Sequence, residues 1–239
     1  KKFKDFVGFK KRILEVGCGT GQLSNYLAIG TNNKIYAADA NMPSIKLAHE
    51  FAKKNKIKNT TFINADIFYD IFPENIFDFI WCNGVLHHTK DPYLAFEIVA
   101  SSLKKGGYIL VGLYNKYGRF RTYIRRWLYK IFGKKFVMIF DPVIRATDKK
   151  NIDKIESWIN DQYQHPVEST HTLDETLIWF KKNNIEFISS IPNCNFDDEK
   201  DIFEKQAKGS AFTRVLKQLM MIFSPVGGDG GLYIVIGKK

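Results

Sequence analysis

The sequence predicts a doubly wound α/β fold, a mostly parallel sheet with helices on both faces, and three observations predict it. Short apolar runs alternate with amphipathic stretches from Arg12 to Leu113. The first run ends in a glycine-rich turn, Gly17-Cys18-Gly19-Thr20-Gly21, that leads into an amphipathic stretch. An acidic residue, Asp39, closes the second run. Alternation of this kind produces parallel strands joined by right-handed crossover helices. The 239 residues, 45% of them hydrophobic, suffice for one such domain spanning 1–239 with some elaboration.

Arg12 to Val16 is a short apolar run of the kind that forms a buried parallel strand. A helix is expected from about Thr20 to Ile29, stopped by Gly30. Lys34 to Asp39 reads as the second strand, and the stretch after Pro43, with Ile45, Leu47, Ala48 and Phe51 at helical spacing, as the second helix. Thr60 to Asn64 and Phe77 to Cys82 give the third and fourth strands. Asp91-Pro92 caps and opens a helix expected to run to Lys104-Lys105, before Gly106-Gly107. Tyr108 to Leu113 is the fifth strand. After Tyr114 the alternation stops, and residues 115–170 read as a basic helical insertion. It resumes at Thr172-Leu173-Asp174-Glu175, a capping box opening a helix through Phe180. Glu186 to Ile191 is a sixth strand and Leu232 to Ile236 the last. Between them, residues 194–226 read as a second insertion, with Phe196 to Phe223 largely helical.

Composition excludes several classes. No apolar run approaches the roughly 20 residues of a membrane span, and the lysine-rich Lys1 to Lys11 lacks the apolar region of a signal peptide. A longer parent protein could carry a further leading segment. Cys18, Cys82 and Cys194 are far apart, with neither a disulfide framework nor a metal-ligand spacing, so no metal is expected. These features predict a cytoplasmic protein. The net charge of +11 is concentrated: Ile98 through Phe140 holds ten Lys or Arg and no Asp or Glu. That asymmetry calls for a local explanation.

The glycine turn lets the backbone bend sharply and approach a ligand without a Cβ in the way, and the following helix start offers free N–H groups. Asp39 lies 18 residues beyond Gly21, at a strand end where a carboxylate can accept from both hydroxyls of a ribose. An adenosine compound is therefore the expected ligand. The dinucleotide fingerprint fails because Gln22 stands where a third glycine is required, and no phosphate loop is present.

Glu15-x-Gly17-x-Gly19-x-Gly21, Asp39, Asn64-Ala65-Asp66-Ile67 and Phe77 through His88 together resemble the class I S-adenosylmethionine (SAM)-dependent methyltransferases, in particular their small-molecule, type 11-like branch. The resemblance implies a seven-stranded Rossmann-like sheet whose last strand is antiparallel, and an enzyme that converts SAM to S-adenosylhomocysteine. It implies that Glu15, Gly17, Gly19, Thr20 and Gly21 form the loop at the methionine end of SAM. Asp39 and Ala40 would lie at its ribose, Asp66 at the adenine amino group, Ile67 and Met42 against the ring, and Asn83 at the sulfonium side. His87 and His88 are expected to shape their loop.

Methyl transfer from a sulfonium needs chiefly an in-line approach, and a base only when the acceptor must lose a proton. The polar stretch Asp161 to His171 supplies candidates, with His165 first, then Tyr163 and His171; a solvated capping loop is the other reading of it. In the insertion, Phe120, Tyr123, Ile124, Trp127, Leu128, Ile131 and Phe132 recur at helical spacing with Arg119, Arg121, Arg125, Arg126 and Lys130 mostly between them. Three readings stay open: a cap helix laying its apolar face on the domain, peripheral membrane contact through 119–132 to reach a lipid or quinone, and nucleic-acid binding. The last is disfavoured because Asn83-Gly84-Val85-Leu86 stands where amino-methylating nucleic-acid enzymes carry Asn-Pro-Pro-aromatic. The expected partner is a small-molecule or lipid-like acceptor.

Overall fold

The structure is a computed structural model that describes residues 2–69, 72–149, 151–164, 167–196, 200–223 and 231–239, without the side chain of Asp161. It begins with helix α1 (Lys2–Val7), then β1 (Arg12–Val16), α2 (Gln22–Ala28), β2 (Lys34–Asp39), α3 (Met42–Lys54), β3 (Thr60–Asn64), β4 (Phe77–Asn83), α4 (Pro92–Ser101) and β5 (Leu103–Tyr114). Four helices follow: α5 (Phe120–Phe132), α6 (Lys134–Phe140), α7 (Pro142–Ala146) and α8 (Ile152–Ile159). The chain returns through α9 (Leu173–Lys182), β6 (Glu186–Ile191), α10 (Ala211–Met220) and β7 (Leu232–Lys238). The seven strands form one sheet in the order β3-β2-β1-β4-β5-β7-β6, parallel except for β7, which is antiparallel to both its neighbours. The winding direction reverses between β1 and β4, and ligands of such sheets bind at the carboxyl ends of the strands beside that reversal.

Alternate residues of each strand face opposite layers. Leu14, Val16, Ile80, Cys82 and Val111 pack with α4 and α9, through Phe96, Val99, Leu177 and Phe180. Ile13, Ile35, Phe79, Leu110 and Ile236 pack with α1 and α2, through Val7, Leu27 and Ala28. Helix α1 falls in the lysine-rich opening, and Phe3 and Phe6 fix it edge-on against Phe79, while Phe3 stacks on Phe203 and Phe6 lies obliquely to it. All three cysteines are buried. Among the described residues no helix is long and apolar enough to cross a membrane.

Two expected boundaries are corrected. The helix opened by Asp91-Pro92 ends at Ser101, not at the lysines, because Leu103 is fully buried and pairs with Phe77, while Lys104 reaches Asp78 at 3.1 Å. The described residues of 194–226 are not largely helical: among them only Ala211–Met220 forms a helix. Gln206, before it, lies along β6, donating its backbone N–H to the Ile188 carbonyl and accepting from the Ser190 N–H on its side-chain Oε1.

The basic helix α5 is turned the opposite way from a cap that buries its apolar stripe. Arg119, at its N-terminal end, has no exposed surface. Its guanidinium forks onto Glu168 at 3.0 and 2.5 Å, donates to Gln162 Oε1 at 2.6 Å and stacks on the Tyr114 ring at 3.7 Å. Arg126 forks onto the same carboxylate at 2.9 and 2.6 Å, and Arg125 faces Asp141 at 3.8 Å. Arg119, Arg125 and Arg126 thus face inward, whereas Arg121 and Lys130 are exposed, as is Trp127 at 62%. Burial alone would raise the Glu168 carboxyl, but Arg119 and Arg126 outweigh it and hold the group below its ordinary range.

Glu15, inside β1, is buried and accepts a hydrogen bond from Ser24 in the first turn of α2. Burial pushes its pKa up to about 7, the Asp39 charge adding to the rise and the Ser24 hydroxyl opposing it.

Two predictions follow from these buried carboxyls. Glu168→Gln leaves two guanidinium groups in the interior without their counter-ion and should cost about 3–5 kcal/mol, measured by urea unfolding. Glu15 has the opposite pH sign from Glu168. Its folded pKa is raised, so its stabilisation is complete below the ordinary carboxylate value and is lost as pH rises through about 7. Glu15→Gln should therefore flatten the decline in melting temperature between mildly acid and neutral pH.

Candidate functional site

A cleft of about 590 Å³ opens at the carboxyl ends of β1, β2 and β4, where the winding reverses. Gly17, Asp39, Ala40, Asp66 and Ile67 line it together, although they come from three separate loops. The turn that begins it is strained into shape by three glycines at φ of 70°, 51° and 71°, Gly17, Gly19 and Gly21. Two of them are also sterically required. A Cβ on Gly17 would meet Val85 Cγ2 at 2.2 Å, and one on Gly21 would meet Phe62 and Ala48 below 3 Å.

Asp39 fastens this turn to the neighbouring strand. Its Oδ2 accepts from the Gly19 N–H at 2.7 Å and its Oδ1 from the Asn41 N–H at 2.8 Å. Each carboxylate oxygen retains a second acceptor direction, so the clamp is compatible with a pair of hydroxyls at the same group. Asp66 uses Oδ1 to accept from the Phe68 N–H at 2.9 Å, and its side chain is otherwise exposed.

Other expected contacts lie outside the cleft wall. Glu15 sits beneath the loop, engaged with Ser24. Thr20 lies on the rim of a second hollow between α2 and α3. Met42, at the start of α3, is exposed and does not line the cleft. Asn83 ends β4 beside Gly84, which does line it. Its carboxamide lies over β5, where a Cβ on Gly112 would meet Oδ1 at 1.7 Å, and that oxygen is buried with no hydrogen-bond partner among the described residues.

The proposed bases are mostly elsewhere. His165 lies outside the described residues. Tyr163 is buried in the helical cap with Val137, Ile144, Ile155 and Ile159, its hydroxyl donating to Asp141. Burial and the Asp141 charge drive the phenol pKa far upward, so it is a structural donor and not a base at the cleft. Glu168 is occupied by the two arginines. His171 reaches the carboxyl edge of the sheet through backbone bonds to Tyr114 and Lys116, with Nε2 2.8 Å from Ser169 Oγ, but it does not line the cleft. Burial lowers its pKa, with Glu175 opposing, which favours the neutral ring.

The two loop histidines divide their roles. His87 is fully buried, accepts from the Tyr114 N–H at 3.3 Å and lies with its ring 3.9 Å from the Tyr114 ring. His88 lines the cleft, and its Nδ1 is 3.1 Å from the Val167 carbonyl. A carbonyl can only accept, so Nδ1 carries a proton, and in the neutral ring the lone pair is on Nε2. In the sequence His88 stood out only as the last residue of the Phe77-through-His88 segment, where it is expected to shape the loop. Phe68, Tyr69, Phe72 and Val85 add an apolar and aromatic wall that the sequence reading did not include. Among the described residues no group of three His, Cys, Asp or Glu could hold a metal.

The donor set fits SAM. Asp39 and Asp66 offer acceptors at two points of one cleft, and Ile67 and Ala40 line the same cleft. The space above Gly19 is open, with nothing within 4 Å of where its Cβ would be.

A family model described as a methyltransferase domain matches residues 9–166. Phosphoethanolamine N-methyltransferase of Triticum aestivum is 24% identical over 83% of this chain and 38% of its own length. The mitochondrial ubiquinone biosynthesis O-methyltransferase of Schizosaccharomyces pombe is 26% identical over 69% of this chain and 62% of its own length. The chain thus spans only part of the length of these curated relatives. In fold, it is similar to a solved SAM-dependent methyltransferase from Methanosarcina mazei, with a TM-score of 0.60, 16% identity, and coverage of 100% of this chain and 96% of that one. The matched domain, the sheet order and the cleft agree, and the chain belongs to the class I SAM-dependent methyltransferases.

Proposed function

We propose that the enzyme methylates a small-molecule or lipid/quinone-like acceptor by in-line displacement, with His88 as the residue that takes the acceptor's proton. When bound, SAM supplies a methyl group already activated by the sulfonium charge. The protein's own part is to hold and orient. Asp39 engages the sugar, Asp66 and Ile67 the base, and the Gly17–Gly21 turn the amino-acid end. The observation that carries the reading is His88: a cleft-lining imidazole whose Nδ1 is engaged by the Val167 carbonyl, so that its neutral form is the Nδ1–H tautomer. Such an arrangement suits removal of a proton from a phenol or hydroxyl, worth about 10²–10⁴-fold in rate. The aromatic wall of Phe68, Tyr69 and Phe72 supports an acceptor with an apolar body, and the resemblance to a ubiquinone O-methyltransferase points the same way. An RNA acceptor is less well supported, because Arg119, Arg125 and Arg126 face Glu168 and Asp141 instead of solvent.

Asp39→Ala should weaken SAM binding at least tenfold, about 1.4 kcal/mol, by calorimetry; unchanged affinity would remove Asp39 from the site. His88→Gln should keep SAM affinity and slow formation of S-adenosylhomocysteine about a hundredfold with phenolic acceptors. Equal turnover by the variant would discard the proton-removing role.

A further inference from the structure

The surface that α5 and α6 turn to solvent is not explained by the cofactor cleft. Phe120, Tyr123, Ile124, Trp127 and Ile131 recur at steps of three and four along α5, and all are exposed. Phe132, 61% exposed, and Ile139 and Phe140 of α6 add to the apolar surface of these helices. An amphipathic helix on a globular protein ordinarily buries this stripe. Apolar surface of such extent, bordered by polar residues, marks a docking face.

Charge identifies what docks there. Arg121, Lys130, Lys134 and Lys135 are exposed on the same two helices, Lys134 meeting Glu156 at 2.9 Å. No acidic residue occurs from Ile98 through Phe140, and Asp141, next in the chain, is buried. A second copy of this face would set Arg121, Lys130 and Lys135 against like charges, with no carboxylate on either helix to answer them. Anionic headgroups supply the opposite sign, and tryptophan and tyrosine beside lysine and arginine suit the boundary between headgroups and acyl chains. At 13 residues α5 is roughly 20 Å long, too short to cross a bilayer but able to lie along one.

We propose that α5 and α6 dock on an anionic lipid bilayer, with the Phe120–Ile131 stripe at the acyl boundary and Arg121, Lys130 and Lys135 at headgroup level. The Arg119–Glu168–Arg126 cluster is what holds the stripe outward. Because α5 starts six residues after β5 ends at the carboxyl edge of the sheet, docking brings the edge that bears the cleft close to lipid. The inference concerns binding and stands whichever acceptor the enzyme uses.

Vesicle flotation of the full chain tests it, using phosphatidylcholine alone or mixed with phosphatidylglycerol. The protein should float with the mixed vesicles and stay behind with the neutral ones. Trp127→Glu and the pair Arg121→Glu with Lys130→Glu should each lower partitioning at least tenfold. All three positions are exposed, so these variants should melt like the parent. Failure to float with anionic vesicles, or flotation of Trp127→Glu equal to the parent, overturns the proposal. So does a parent dimer, seen by sedimentation equilibrium, that Trp127→Glu dissolves, since the stripe would then belong to a second copy.

Discussion

The hydrogen bond from the Gly19 N–H to Asp39 is the constraint on which the site rests. Three glycines in left-handed conformations have little intrinsic preference for staying there, and glycine surrenders more backbone freedom on ordering than any other residue. Here the loss is offset by neighbours. The Ala38 carbonyl accepts from the N–H groups of Gly17 and Cys18, Asp39 takes that of Gly19, and the Glu15–Ser24 bond ties β1 to α2 below. A loop held on three sides is formed before any ligand arrives, which lowers the entropic cost of binding.

The two parts of the molecule are held together by different physics. The sheet and its flanking helices are joined by apolar packing in two layers. The insertion after β5 has a small core of its own and is fastened to the sheet's edge by a cluster of arginines, a carboxylate, a glutamine and a tyrosine ring. Apolar packing tolerates substitutions of like volume, whereas a buried ionic cluster depends on every member. The cofactor half can therefore keep its shape while the seating of the cap is specified by a few charged residues.

Much of this was legible in the sequence. All seven strands were located in the sequence, although β5 begins at Leu103 and not Tyr108; Asp39 stood out by its distance from the glycine turn and Asp66 through the family resemblance. What escaped was decided by partners remote in sequence. Helical periodicity reveals a stripe but not the side it faces, and for α5 that was set by Glu168, 49 residues from Arg119. Leu103 left the expected helix because Phe77 offered it a place in the sheet. Tyr163 looked like a base beside polar neighbours, yet Asp141 and four aliphatic side chains enclose it. The partner of His88 was hidden for the same reason, since the Val167 carbonyl lies 79 positions away.

The position of Cys18 has a practical consequence. It occupies the middle of the glycine turn with its thiol buried, and burial, aided by the charges of Glu15 and Asp39, pushes its pKa up to about 12. The native protein thus presents almost no thiolate there, and alkylating reagents react with thiolates. Modification of this one sulfur becomes a clock for transient openings of the turn, and a compound that seats in the cleft and clasps the turn would make that clock run slow.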